Sequence, residues 1–181
     1  GLRAASVVMI SIPLSLAIGL AALYFTGFSL NQLSIAGFVL ALGLLVDDSI
    51  VVVENIERYL RAGYNRVEAA IAATDQIALA VVGCTATLLF AFLPLLFLPE
   101  GAGIFIRSLP AAVLFTVAAS LLVSLTVVPF LASRLLRTEG LGAEGNKALQ
   151  GLMRVIHGIY GPALRVALAA PKRTLLAALA F

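Results

Sequence analysis

Residues 43–58 read GLLVDDSIVVVENIER, and this stretch decides the fold. Asp47 and Asp48 stand side by side among Leu44, Leu45, Val46, Ile50, Val51, Val52 and Val53, in a run otherwise apolar enough to span a membrane. A charged side chain at a helix centre costs roughly 2.5–3.5 kcal/mol to insert, so the pair costs roughly 5–7 kcal/mol. The thirteen Leu, Ile, Val and Phe residues between Leu33 and Val53 return roughly 0.3–0.6 kcal/mol each, about 4–8 kcal/mol in all. Gain and cost nearly cancel. Such a helix inserts comfortably only if its carboxylates are protonated, paired or turned into the interior of a bundle.

Adjacent helical residues point about 100° apart, so the two carboxylates do not share a narrow stripe, although they can share one cavity between helices. Desolvation and like charge both oppose ionising the two together, and a cation brought from another helix would favour ionisation again. A group whose charge state a moving partner can switch is what a proton carrier requires. The neighbours suit an interior position. Gly43 lies one turn before Asp47, and Gly37 with Ala41 forms a small-xxx-small pair, so Gly37 and Gly43 are the expected sites of close helix packing. Glu54 lies two turns beyond Asp47 on roughly the same face, about 10 Å nearer the helix end, and Glu54 and Asn55 are candidates for proton exit. A static buried salt bridge stays open as the structural alternative for the pair, and an interfacial helix end as the alternative for Glu54 and Asn55.

Working outward, 62% of the 181 residues are hydrophobic, 12% are charged, and the mean hydropathy is +1.11. A soluble domain could not hide this much apolar surface, so the composition predicts an all-α polytopic membrane protein. Four stretches are long enough to span: residues 4–25, 30–53, 77–98 and 105–131. Together they occupy residues 1–137, separated by TGFSLN, ERYLRAGYNRVEAA and LPEGAGIFIRSLP. A further span starts within residues 171–181, and the chain reads as a piece of a longer protein. The net charge of +3 is explained by membrane topology. With alternating sides, Arg3, Arg58, Arg61, Arg66, Arg134, Arg137, Lys147, Arg154, Arg165, Lys172 and Arg173 fall on one side and Arg107 alone on the other. That asymmetry puts the first group in the cytoplasm. No nucleic-acid partner is expected.

Residues 138–170 change character. RTEGLGAEGN is a Gly-rich polar linker, and from Leu149 to Leu164 apolar residues recur at helical spacing with Lys147, Arg154, His157 and Arg165 mostly off the stripe. This predicts an amphipathic helix lying on the cytoplasmic membrane surface, broken at Gly161-Pro162. A soluble helix packed on a domain outside this sequence is the rival. Cys84 excludes an internal disulfide, and a single His157 makes no metal site. No cofactor is expected.

Other classes fit less well. Two carboxylates could bind a hard cation, but no His, Cys or Met cluster supports a transition-metal site. An intramembrane aspartyl protease needs two Asp converging from opposed positions, whereas Asp47 and Asp48 are neighbours and Asp75 lies at a helix start. A purely structural membrane protein leaves the two intramembrane acids unexplained.

GFSLNQLSIAGFVLALGLLVDDSIVVVENIERYLRAG resembles the fourth transmembrane helix, with its entry turn, of the resistance-nodulation-division (RND) efflux transporters. The preceding span with Pro13, the EAAIAA segment, TVVPFLASRLL and PKRTLL fit the same family, from its third helix to the start of its seventh. The double acid resembles the hydrophobe/amphiphile, multidrug branch more than the heavy-metal branch. The resemblance implies the proton-translocating part of a proton/drug antiporter and not an enzyme, in a homotrimeric bacterial inner-membrane pump. It also implies amphiphilic substrates bound in domains absent here, a periplasmic adaptor and an outer-membrane channel. Asp47 and Asp48 would be the proton relay, facing a Lys and other polar groups on helices of the second half. A heavy-metal RND pump or another proton-coupled RND protein remains the alternative.

Overall fold

Helix formation in a hydrocarbon solvent is obligatory, because every backbone N–H and C=O must be satisfied within the segment. The computed structural model describes residues 2–99 and 101–136, together with 158, 160–162, 164, 167–171 and 174. Among the described residues there is helix and no strand. In chain order the helices are α1 (Leu2–Phe25), α2 (Gln32–Arg61), α3 (Arg66–Phe92), a 3-10 turn (Leu93–Phe97), α4 (Ala102–Ile106), α5 (Ser108–Leu125) and α6 (Val127–Leu135). Four segments are long and apolar enough to cross a membrane: Leu2–Phe25, Gln32–Arg61, Arg66–Phe97 and Ser108–Leu135.

The ends of these helices have local causes. Asn31 caps α2, its side chain accepting from the Ser34 N–H at 2.9 Å while Ser34 Oγ accepts from the Asn31 N–H at 2.8 Å. At the other end Gly63, at φ +95°, donates to Leu60 O, and Tyr64 donates to Tyr59 O. This pairing closes the helix through a left-handed residue that only glycine adopts without strain. Asn65 then caps α3 by accepting from the Glu68 N–H at 2.9 Å, and the Glu68 charge suits the positive end of that helix. The α2–α3 connection is therefore only residues 62–65. The sequence reading ended the second span at Val53 and began the third at Ile77, but helix continues through Arg61 and resumes at Arg66. Apolar windows mark the part of a helix in hydrocarbon, whereas capping residues mark where the helix stops. The fourth span is interrupted at Thr126, three residues before Pro129, whose ring lacks an N–H and crowds the Leu125 carbonyl.

Residues 1–138 form one compact unit, in which α5 is the most enclosed helix, with eleven of its eighteen residues buried. It packs against α1, α2 and α3, and its buried face is rich in small residues, among them Ser108, Ala111, Ala112, Ala119, Ser120 and Ser124. The buried face of α1 is Val7, Ser11, Ser15, Gly19 and Leu23, one residue per turn. A Cβ on Gly19 would fall 2.8 Å from Thr116 Cα, and one on Gly37 would fall 2.6 Å from Leu109 O. Ser11 Oγ donates to Ser49 Oγ at 2.9 Å between α1 and α2, and Ser108 Oγ donates to Asn31 Oδ1 at 3.0 Å between α5 and the α2 cap. Lipid tails are as apolar as leucine, so close backbone approach and such hydrogen bonds bring membrane helices together. The outer surface is correspondingly greasy: Met9, Leu79, Phe90 and Leu122 are all more than 60% exposed.

Residues 139–181 form a second unit. Its Gly158, Tyr160, Gly161, Pro162 and Leu164 are helical, and the residues around them that would test the break expected at Gly161-Pro162 lie outside the described residues. Most of the expected amphipathic helix, and the start of the further span, lie outside the described residues.

Candidate functional site

The buried face of α2 runs through Ser34, Gly37, Ala41, Leu45, Ser49, Val52, Val53, Ile56 and Leu60. Leu45 and Ser49, one turn apart, therefore define which way the middle of the helix faces. Asp48 precedes Ser49 by about 100° of rotation and Asp47 by about 200°. The consequence is an asymmetric pair. Asp48 is half-buried at the edge of the α2–α3 seam, while Asp47 lies exposed on the flank away from the unit's core. Both sit about 23 Å along α2 from Gln32, by the rise of about 1.5 Å per residue, which is mid-membrane depth for a helix of this length.

Asp48 has one polar neighbour from another helix. Thr85 on α3 approaches it, Oγ1 to Oδ2, at 3.4 Å, and the same hydroxyl donates to Val81 O at 2.9 Å. Among the described residues, no lysine or arginine pairs with either aspartate, and the nearest basic residue along α2 is Arg58. Next to the acids, buried Ser49 is bonded to Ser11, and buried Ser120 on α5 donates to Leu45 O at 3.5 Å. Hydroxyls thus occupy the interior flank of the acidic turn.

The other expected site residues are separated by the structure. Gly37 packs tightly against α5, whereas Gly43 is open, a Cβ there meeting nothing within 4 Å. The close packing expected at Gly43 is therefore not made by the described helices of this chain. Glu54 is exposed at the rim of two grooves, one of about 420 Å³ beside α1 and one of about 210 Å³ beside α3. Asn55 ties α2 to α3, donating to Ala73 O at 2.8 Å and Gln76 Oε1 at 3.1 Å, and Arg58 donates to the same Gln76 oxygen at 3.2 Å. Its amide protons are thereby engaged in a helix–helix clamp. Among the described residues there is no group of three or more His, Cys, Asp or Glu side chains placed to hold a metal ion. Sequence reasoning missed Thr85. Its only local sign is a hydroxyl in an apolar helix, and 37 residues separate it from the acid it faces.

The described helices thus form a polytopic bundle with an acidic pair at the centre of its second helix, and comparisons with known proteins give its family. The model of the AcrB/AcrD/AcrF family matches residues 1–181, and the chain belongs to that family of RND transporters. Among its relatives is the multidrug resistance protein MdtC of Pectobacterium carotovorum subsp. carotovorum (strain PC1). It is 35% identical over 166 residues, which cover 90% of this chain and 16% of that protein. MdtC of Escherichia coli (strain K12) and MdtC of Shigella sonnei (strain Ss046) are each 36% identical over the same length, with the same coverage. The chain therefore spans about 16% of the length of the curated relatives it matches, and it is part of a multi-pass membrane protein.

Proposed function

We propose that this chain is the proton-translocating transmembrane part of a proton/drug antiporter, with Asp47 and Asp48 jointly binding and releasing the coupling proton. One observation carries the reading: two carboxylates at mid-membrane depth, of which Asp47 is exposed on the flank of its own bundle with no basic partner among the described residues. An ionised Asp47 facing lipid would cost roughly 2.5–3.5 kcal/mol, so that flank is built to meet polar groups on other helices of the full-length protein. Deprotonation leaves a charge that draws a cation from those helices toward α2, and protonation releases it. The two packings differ in preference with charge state, which is how proton uptake drives movement elsewhere.

The MdtC relatives carry multidrug resistance in their names, which favours amphiphilic drugs over metal cations as the substrate class. The RND family relationship supports a homotrimer in the bacterial inner membrane, working with a periplasmic adaptor and an outer-membrane channel. Substrate would be bound by parts of the protein outside this chain. The test is Asp47→Asn and Asp48→Asn in the full-length protein, since Asn keeps the shape but cannot cycle a proton. Each variant is expected to abolish drug resistance while expression and trimer assembly stay nearly intact. Near wild-type efflux by both single variants would overturn the relay. Failure of both to assemble would favour a static salt bridge instead, because removing one partner strands the other charge.

A further inference from the structure

The Thr85 hydroxyl is buried, with the residue 1% exposed, and it faces two oxygens at unequal distance. Val81 O lies at 2.9 Å and Asp48 Oδ2 at 3.4 Å. A hydroxyl has one proton to give and two lone pairs to accept with. With the proton on Val81 O, the shorter of the two contacts, a lone pair is left toward Asp48. An ionised carboxylate also offers only lone pairs, so with the proton on Val81 O the contact at 3.4 Å makes no hydrogen bond. A protonated Asp48 carries an O–H that the Thr85 lone pair can accept, with the gap of 3.4 Å closing toward the usual O–H···O separation of about 2.7 Å. When Asp48 is ionised, rotation about the Thr85 Cβ–Oγ1 bond turns the single proton from Val81 O to the carboxylate. Val81 O keeps its backbone partner in α3, so the rotation strands nothing.

We propose that Thr85 is a positioning residue for Asp48, accepting a hydrogen bond from its protonated carboxyl and donating one to its carboxylate. The α2–α3 seam thereby registers the charge state of the acid. No bond to carbon changes, and the proton that arrives on Asp48 leaves from Asp48. The other groups at this level are few. On α2, Asp47 is the ionisable neighbour. On α3, Cys84 is exposed and the nearest charged residue is Asp75, nearly three turns away. Helix α5 carries no charged residue, and α1 carries only Arg3, in its first turn. Thr85 is thus the only residue of a described helix other than α2 with a polar contact to Asp48.

The inference rests on the proton-relay reading above, and infrared difference spectroscopy of the full-length protein separates the two. The carboxylic C=O stretch would be followed between acid and neutral pH in wild type, Asp48→Asn, Thr85→Val and Thr85→Ser. A band that is absent in Asp48→Asn assigns proton uptake to Asp48. That band is expected to move to higher frequency in Thr85→Val, which keeps the side-chain shape but removes the hydrogen-bond partner, and to stay near its wild-type position in Thr85→Ser. The midpoint of the pH–efflux profile should shift in Thr85→Val and be restored by Thr85→Ser, with trimer assembly unchanged in both. A band unmoved by Thr85→Val overturns the role of Thr85 and leaves the relay standing. Absence of any Asp48 band in wild type overturns the relay itself. If Thr85→Val fails to assemble, Thr85→Ala takes its place in the same comparison.

Discussion

Gly37 offers a quantitative test of how α2 meets α5. In Gly37→Ala the new methyl would sit 2.6 Å from Leu109 O and 3.0 Å from Ala112 Cβ. Carbon normally approaches a carbonyl oxygen no closer than about 3.3 Å, so the two backbones must part by several tenths of an ångström. The obstacle is backbone and cannot swing aside. Overpacking of this kind costs about 1–3 kcal/mol. Parting the helices also strains the bond from Ser108 Oγ to Asn31 Oδ1, which sits at the same end of the seam. Gly83→Ala is the control, because a Cβ there meets nothing within 4 Å. Both changes gain the same alanine helix propensity, up to about 1 kcal/mol, so their difference isolates the clash. Thermal unfolding of the full-length protein in detergent should separate them by about 1–3 kcal/mol, equivalent to roughly five- to 150-fold in the folding equilibrium. Equal stability of the two variants would refute the packing.

Asn55→Leu removes the donors to Ala73 O and Gln76 Oε1 and is expected to cost about 1 kcal/mol per bond lost, with efflux per assembled protein unchanged. Lost efflux at unchanged stability would instead make Asn55 part of a proton exit. For orientation, single cysteines introduced at Ala62 and Ala102, with Cys84 replaced by alanine, should be labelled from the cytoplasm and the periplasm respectively. External labelling of position 62 would invert the topology.

The sequence by itself determined the membrane class, four apolar helices, the acidic pair and the family. Each of these depends on composition or on residues adjacent along the chain. The cost of inserting Asp47 and Asp48 is visible wherever the pair is written, because it depends on depth in the helix and not on neighbours. Helix ends were misplaced where hydropathy alone was used, as at Val53 and Ile77, because the Asn and Gly residues that stop and restart the helix between Arg61 and Arg66 were not read as caps. Tertiary structure decided which side of each helix faces inward. In a soluble protein the apolar stripe marks that side, but here lipid and interior are equally apolar, so Leu and Val carry no directional signal. Two glycines six residues apart therefore looked alike, yet a Cβ on Gly37 would run into the α5 backbone while one on Gly43 would meet nothing within 4 Å. The same rotation of α2 turned Asp48 to Thr85 and Asp47 away from the bundle. That contact joins residues 37 apart, and its existence depends on the azimuths of two helices, which no local pattern encodes.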